Sequence, residues 1–420
     1  MIDIGLFREN PRIFKSEIKK RGLKINVDTG IKLDKKKRDL TVRADRLRYE
    51  KNIASKIMPG LKNEEKNKKI KELKKLNEEL EKIEKELADV EEEFFSHFSA
   101  YPNISDEGTP VGRDESGNVV ESHYGTRPVF DFKPRNHIKL GTDLDIIDEK
   151  RAAKISGSRF VFLKNEGVQL EFALVQYVLN ILIKKGFMPL LPPVLVKEEA
   201  MYGTGFFPVE KTQYYKTELD DLFLVGTSEV PLCAYHGGEF LDADTLPLKY
   251  AAFSTCFRRE AGSYGKDLGG LFRVHQFDKI EMFIFTRPED SWKEYKKLRE
   301  TLEEIMRGLG FHYRIVNMCT GDIGTPNAKK YDLEAWLPGQ KKYRELASCS
   351  HDTDFQARRL KIKYREGKKK ELVHTMNSTA CAIGRTLIAI WENYQDSDGN
   401  IEIPEGLLQY MGNVKKISRK

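Results

Sequence analysis

The sequence predicts an α+β protein, a larger domain on a mostly antiparallel sheet preceded by an N-terminal antiparallel two-helix coiled-coil arm. Three observations carry this. An a/d heptad stripe runs through residues 73–94, a Pro- and Gly-bearing polar stretch follows at 101–125, and beyond it short β-like runs alternate with helical segments. The predicted division is 1–110 for the N-terminal domain, with the arm at about 28–97, and 111–420 for the second domain.

The arm comes first. Leu73, Leu76, Leu80, Ile83, Leu87, Val90 and Phe94 hold a 3-4 spacing for about three heptads. Upstream, Leu33, Leu40, Ala44, Leu47, Ala54 and Met58 form a weaker stripe interrupted by Lys37 and Lys51. Met58-Pro59-Gly60 separates the runs as a stop-and-turn signal, so the two helices fold back on each other. Two helices bury little, and the arm needs an anchor. The first helix carries Lys32, Lys35, Lys36, Lys37, Arg38, Arg43, Arg46, Arg48 and Lys51. This is either a surface for an RNA backbone or a solvated helix face.

Composition sets outer bounds. The 420 residues include 72 Lys and Arg against 65 Asp and Glu, a net charge of +7 that allows a polyanionic partner without requiring one. Cys233, Cys256, Cys319, Cys349 and Cys381 are scattered, with no CxxC pair to signal a disulfide framework or a zinc site. Reduced thiols and a cytoplasmic location are expected. His123, His137, His236, His275, His312, His351 and His374 show no metal spacing and read as structural. The N-terminus has charges too early for a signal peptide, and the apolar run Phe172 to Ile183 is too short for a bilayer, so no membrane is expected.

In the second domain, Leu170, Leu174, Tyr177, Val178, Ile181 and Leu182 lie on one face of a helix closed by Gly186. Strands are predicted at Leu222 to Val225, Ala251 to Ser254 and Lys279 to Phe285. No P-loop, GxGxxG or HExxH is present, so a bound nucleotide would be held by side chains.

Three segments offer such side chains. Gly186 to Val196 is a helix end followed by a proline-bearing strand, suited to a sheet edge or a subunit interface. Cys256 to Glu281 reads as a long hairpin with a Gly-rich loop. Its Arg258, Arg259 and Arg273 could grip a phosphate or pair with Glu260 and Glu281. Asn377 to Glu392 is a small, polar strand running through Gly384 into an apolar helix. Arg385 there needs a phosphate, a base or a core carboxylate as partner.

Together these segments resemble the three signature motifs of class II aminoacyl-tRNA synthetases. The phrases FRREAGSYGKD, RVHQFDKIE, ELASCSHDTDFQARR and ENYQ resemble the seryl-tRNA synthetase family over essentially the whole chain. The resemblance implies a homodimeric ligase that activates L-serine with ATP and Mg²⁺ to seryl-adenylate. The seryl group would then pass to the 3′-terminal adenosine of tRNA(Ser), with tRNA(Sec) a second candidate acceptor.

Carried over by position, Thr227, Ser228, Glu229, Glu281 and Thr379 would bind serine, with Glu229 facing its ammonium. Arg258 would hold the α-phosphate with Glu260 beside the adenine, Arg259 would belong to the same ATP site, and Val274 and Phe277 would line the nucleotide site, Phe277 by stacking on the base. Glu345, Leu346, Ala347 and Ser348 would form an ATP segment whose Glu345 and Ser348 coordinate Mg²⁺. Arg385 would cover the adenine and reach the γ-phosphate. Arg258, Arg385 and Glu345 are thus the expected catalytic residues.

Two positions depart from the family pattern. Gly203 to Pro208 lacks a glutamine common there, and Gly269 stands where an arginine is common. Two other readings compete: a paralogue that loads a carrier protein, and a non-catalytic coiled-coil protein on an inactive scaffold. The first is expected to lack the basic arm, and the second to have lost Arg258, Glu281, Glu345 or Arg385.

Overall fold

The computed structural model describes residues 2–261 and 269–419. The chain forms two compact units, Met1–Lys19 with Leu23–Tyr101 and Lys20–Gly22 with Pro102–Lys420.

In the first unit, helices Val27–Ile57 and Asn63–Ser99 run antiparallel through a short 3₁₀ turn at Met58–Gly60. At 1.5 Å per residue they are about 46 and 55 Å long. Asn26 caps the first, its side-chain oxygen accepting from the N–H groups of Asp28 and Thr29. The heptad stripes meet where Leu40, Ala44 and Leu47 bury against Leu80, Ile83, Leu87 and Val90. Leu73 and Leu76 are only half-buried, so the seam loosens toward the turn. Lys37 is accommodated on its stripe by lying over the Phe94 ring at 4.8 Å and pairing with Glu91.

The arm base is aromatic: Phe98 packs edge-on to Phe7 and stacks on Tyr101. Gly30 is required there, because a Cβ would stand 3.0–3.1 Å from Tyr101, His97 and Phe98. Most of the cations noted on the first helix are engaged. Lys36, Arg43 and Arg48 reach Glu86, Glu79 and Glu84 on the second helix, while Arg38 and Arg46 pair within their own helix.

The second unit is organised by an eight-stranded sheet. Its order is Val119–Tyr124, Tyr313–Asn317, Lys329–Leu337, Lys342–Thr353, His374–Ala382, Gln276–Thr286, Leu248–Phe257 and Met188–Leu190. All pairings are antiparallel except the last, where Met188–Leu190 lies parallel to Leu248–Phe257 at the edge. Pro189 therefore sits on an edge strand, the position proline's missing N–H allows.

Two local expectations differ. Val119–Tyr124 falls in the Pro- and Gly-bearing polar stretch 101–125, where the sequence predicts no strand, yet pairs as the opposite edge; all six residues are exposed, so no buried alternation marked them. Phe223–Leu224 pairs with Leu195–Val196 rather than joining the large sheet.

One face of the sheet packs against helices Glu166–Lys184, Ser291–Gly308 and Ile383–Asn393. Strand residues Ile280, Met282 and Ile284 share a single apolar core with them. The apolar run Phe172 to Ile183 lies within Glu166–Lys184, a helix of 19 residues that is long and apolar enough to cross a membrane by length and composition only. In this fold it is a core helix: Leu170, Ala173, Leu174, Tyr177, Val178 and Leu182 are buried against the sheet. Gly186 follows it with φ +82°, the left-handed conformation that ends a helix. The opposite strand positions, Phe277, Lys279 and Glu281, face a cavity.

Candidate active site

The cavity, about 480 Å³, is floored by alternating residues of the central strands and walled by the loops that join them. Alternation alone would separate Glu345 from Ser348, since residues three apart on a strand point to opposite faces. The ladder to Lys329–Leu337 slips here: Ser348 pairs with Asp332 and Glu345 with Glu334, leaving Leu346 as an extra residue. That bulge brings Glu345 and Ser348 onto one face. Thr379 stands directly opposite Glu281 in the regular register, and a slip just beyond it, between Thr379 and Cys381, sets Ala382 opposite Lys279.

One end of the cavity is acidic. Thr227 and Ser228 precede the short helix Glu229–Ala234. Thr227 Oγ1 accepts from Lys279 Nζ at 2.7 Å and from the Glu229 N–H. Lys279 also pairs with Glu281, which accepts a hydrogen bond from Thr379 at 3.3 Å. Glu229 accepts from Gln356 Nε2 at 2.8 Å, and Thr375 donates to the other side of that amide. Burial pushes the Glu229 carboxyl well up, and the nearby carboxylates of Asp352 and Glu281 push it further. Asp352, wholly buried, accepts from Asn327 and Asn377 and is raised by burial to about 7. Of these carboxyl groups Glu229 and Glu281 face the cavity, against the one lysine Lys279, which makes this end a receptor for a cation.

The other end is basic. Arg258 donates Nε–H to the Gly226 carbonyl, leaving its two terminal amino groups without a protein partner among the described residues. Its guanidinium stands 5.5 Å from the Phe277 ring centre. Arg385 donates to the backbone and the carboxylate of Glu345, both at 3.0 Å. Burial would raise Glu345, but Arg385, Lys330 and Arg258 outweigh it and hold the carboxyl down to about 2. Arg273 pairs with Glu260, and Lys330 with Asp332. Guanidinium groups turned into a concave site suit an oligophosphate.

Most of the expected site residues line this one cavity: Thr227, Glu229, Glu281 and Thr379 at the acidic end, and Arg258, Glu260, Val274, Phe277, Glu345, Leu346, Ala347, Ser348 and Arg385 beyond. Ser228 and Arg259 do not. Ser228 is fully buried with its hydroxyl directed at the Ala252 carbonyl, and the Arg259 guanidinium lies over Tyr215. The Gly-rich part of the hairpin, residues 262–268, lies outside the described residues. At the departure from the family pattern, Phe206 lines the cavity, and a Cβ on Gly203 would collide with Leu360.

Sequence reasoning missed Lys279, Lys330, Asp332, Asp352, Asn327, Asn377 and Gln356. Two had a signal: Lys279 lies midway between Phe277 and Glu281, and Asn377 two residues before Thr379, both in step with the strand period.

The neighbouring His351 is also buried, stacked on Trp292 at 4.2 Å, and its pKa falls to about 3 through burial and then through His374. The unfolded chain protonates it below about 6.5 and the fold does not, so its contribution is complete above that value and is lost as the pH drops toward 3. Asp352 slopes the other way, its raised carboxyl costing stability as pH rises from about 4 to 7. His351→Asn should therefore lose less stability than the wild type between pH 7 and pH 5, by about 2 kcal/mol in denaturant titrations. An unchanged pH dependence would count against this assignment.

Comparison with known proteins gives the family. Residues 1–105 match the seryl-tRNA synthetase N-terminal domain, and residues 209–394 the tRNA synthetase class II core domain (G, H, P, S and T). A serine–tRNA ligase of Petrotoga mobilis is 45% identical across 98% of this chain and 99% of its own, and one of Thermodesulfovibrio yellowstonii is 43% identical at the same coverage. The crystal structure of seryl-tRNA synthetase from Pyrococcus horikoshii complexed with ATP superposes with TM-score 0.91 at 39% identity, covering all of both chains. Cytoplasmic serine–tRNA ligase from Naegleria fowleri in complex with AMP gives 0.87 at 35% identity, covering 100% of this chain and 99% of its own. With its cavity polarised between carboxylates and guanidinium groups, and with full-length identity at this level, the chain belongs to the seryl-tRNA synthetase family of class II aminoacyl-tRNA synthetases.

Proposed function

We propose that the cavity activates L-serine with ATP and passes the seryl group to the 3′-terminal adenosine of tRNA(Ser). The observation that carries this is the division of one cavity into a carboxylate-rich end for an ammonium and a guanidinium-rich end for phosphates. Glu229 and Glu281 meet the serine ammonium and hydroxyl, with Thr227 and Thr379 beside them. Arg258 holds the α-phosphate, Phe277 and Val274 take the base, and Arg385 covers the nucleotide.

The serine carboxylate then attacks the α-phosphorus in line and pyrophosphate leaves. No side chain acts as nucleophile; the chain's share is positioning and fixed positive charge where negative charge develops. The tRNA hydroxyl next attacks the seryl carbonyl and AMP departs. A site that bonds the substrate hydroxyl rejects alanine by about 10⁴–10⁵, because its buried polar groups would otherwise go unpaired.

Mg²⁺ fits the residues present. Glu345 is held ionised, Ser348 lies on the same face, and no cluster of three His, Cys, Asp or Glu stands ready for a metal among the described residues. Such a hard, oxygen-only pair suits an ion that takes its remaining ligands from phosphates and water. When bound, it would neutralise phosphate charge.

The helical arm serves as the tRNA-binding element, and the protein works in the cytoplasm as a homodimer. Leu191 and Leu195, exposed just beyond the sheet-edge strand Met188–Leu190, support an interface there. Charging of tRNA(Sec) belongs to the same proposal.

The test is amino-acid-dependent ATP–pyrophosphate exchange with serine, alanine, threonine, glycine and cysteine, followed by charging of tRNA(Ser) with and without residues 28–97. Serine-selective exchange plus arm-dependent charging is expected. Exchange without charging would favour a carrier-loading enzyme, and no exchange with any amino acid would favour a non-catalytic interaction protein.

A further inference from the structure

Away from the cavity, the second unit carries a small three-stranded sheet. Phe240–Asp242 lies parallel to Lys363–Glu366, which pairs antiparallel with Lys369–Leu372. Its two faces differ sharply. Leu241 and Tyr364 point inward to an apolar cluster with Phe283 and Phe285. Register sets Phe240 beside Lys363 on the outer face, with Asp242, Arg365 and Lys370 in the next row.

Phe240 is 47% exposed, and the Arg365 and Lys370 cations stand 5.1 and 5.2 Å from its ring centre. Phe240, Lys363 and Lys370 line a groove of about 850 Å³ that continues to Lys361 and Arg358.

The cations of this face lack counter-charges. Among the described residues no carboxylate lies within ion-pair distance of Lys361, Lys363, Arg365 or Lys370, whereas Lys36, Lys37, Arg43 and Arg48 of the first arm helix each reach a glutamate of the second. The nearby carboxylates are engaged elsewhere: in the groove Glu371 accepts from Tyr364 and Lys369 and Asp354 pairs with Arg358, and beside Arg365 the Asp242 carboxylate accepts from the Asp244 N–H. Unneutralised cations repel one another, and an anionic partner relieves that cost.

An exposed aromatic ring amid such cations adds a second requirement. A base offers a face to stack on the ring while its phosphates reach the flanking charges; an acidic polypeptide would use the charges and leave the ring unused. We propose that this outer sheet face binds a single-stranded or looped RNA segment, with a base on Phe240 and phosphates on Lys363, Arg365 and Lys370. The face is separate in residues from the activation cavity, so the inference stands or falls independently of the serine reading.

The test uses the full-length chain and a short fluorescein-labelled oligoadenylate, titrated by anisotropy over a range of salt concentrations. The double charge reversal Lys363→Glu with Lys370→Glu should weaken binding by at least about tenfold and lower the log–log salt slope by about 1.4, the release expected for two phosphate contacts on a single strand. Phe240→Ala should weaken binding by about fivefold or more while leaving the slope unchanged, because stacking releases no counterions. Both variants should keep the wild-type melting temperature, which shows that they fold.

Unlabelled tRNA competing with the probe in the wild type, and less well in the charge-reversed variant, would identify tRNA as the source of the segment. Failure of tRNA to compete while oligoadenylate binding still needs both sites would identify another RNA. Affinity untouched by either variant would overturn the proposal. So would polyglutamate displacing the probe as well as RNA does, or a changed elution volume marking the face as a contact between copies.

Discussion

Arg258→Ala should lower the rate of serine-dependent ATP–pyrophosphate exchange by about 10²–10³, with little change in the KM for serine. The wild-type guanidinium is anchored through Nε to the Gly226 carbonyl and keeps its two terminal amino groups for the cavity. It is therefore oriented before any substrate arrives, and its hydrogen bonds strengthen only as charge gathers on the α-phosphate oxygens. Interactions made in the transition state and not the ground state appear in the rate rather than in KM.

Arg258→Lys keeps the charge and loses the planar fork, so it should recover only part of the rate. Arg258 is also one of the cations that hold Glu345 ionised. A measured melting temperature close to wild type would show that the loss is catalytic and not structural. Exchange close to wild type in the alanine variant would remove Arg258 from the site.

The second large effect is expected at the other end of the cavity. Glu281→Gln should raise the KM for serine steeply and reduce the preference for serine over alanine from about 10⁴–10⁵ toward about 10². Glu281 is buried, pairs with Lys279 and accepts from Thr379, so its charge is already held in place for an ammonium or hydroxyl group. The glutamine variant leaves Lys279 with Thr227 alone; breaking a buried ion pair costs about 3–5 kcal/mol. Part of that cost falls on folding, which denaturant titration measures separately. The ratio of serine to alanine activation reads the specificity role, since a purely structural defect lowers both alike. An unchanged ratio would assign the hydroxyl to another group.

Much of this was legible in the sequence because it rests on local periodicity. The arm seam is a 3-4 repeat, and its buried members Leu80, Ile83, Leu87 and Val90 are the ones the repeat names. The edge position of Met188–Leu190 follows from a proline that cannot donate to a ladder. Arg385 was left open between a phosphate and a core carboxylate. The fold pairs it with Glu345 and still leaves it lining the cavity, so the carboxylate reading is realised without removing the other.

Ser228 shows the limit of carrying roles by position. Its neighbours Thr227 and Glu229 reach the cavity, while the Ser228 hydroxyl turns to the Ala252 carbonyl. Nothing in the order of residues tells which of three successive side chains at a helix start faces inward.

By itself, the sequence determined the class of the protein: an antiparallel two-helix arm, an α+β domain, and segments bearing the arginines and carboxylates of an activation site. Helical and strand periodicities, turn residues and charged side chains near apolar runs are properties of neighbouring positions, and neighbours are legible along a chain. Only the tertiary structure decided which residues share the cavity. Two ladder slips, at Leu346 and between Thr379 and Cys381, override simple alternation and turn Glu345 to the side of Ser348 and Ala382 to that of Lys279. The buried Asp352, held by Asn327 and Asn377, and the unpaired cations around Phe240 likewise depend on partners far away in sequence. Burial and charge pairing are set by what packs against a side chain, and that is fixed only when distant strands meet.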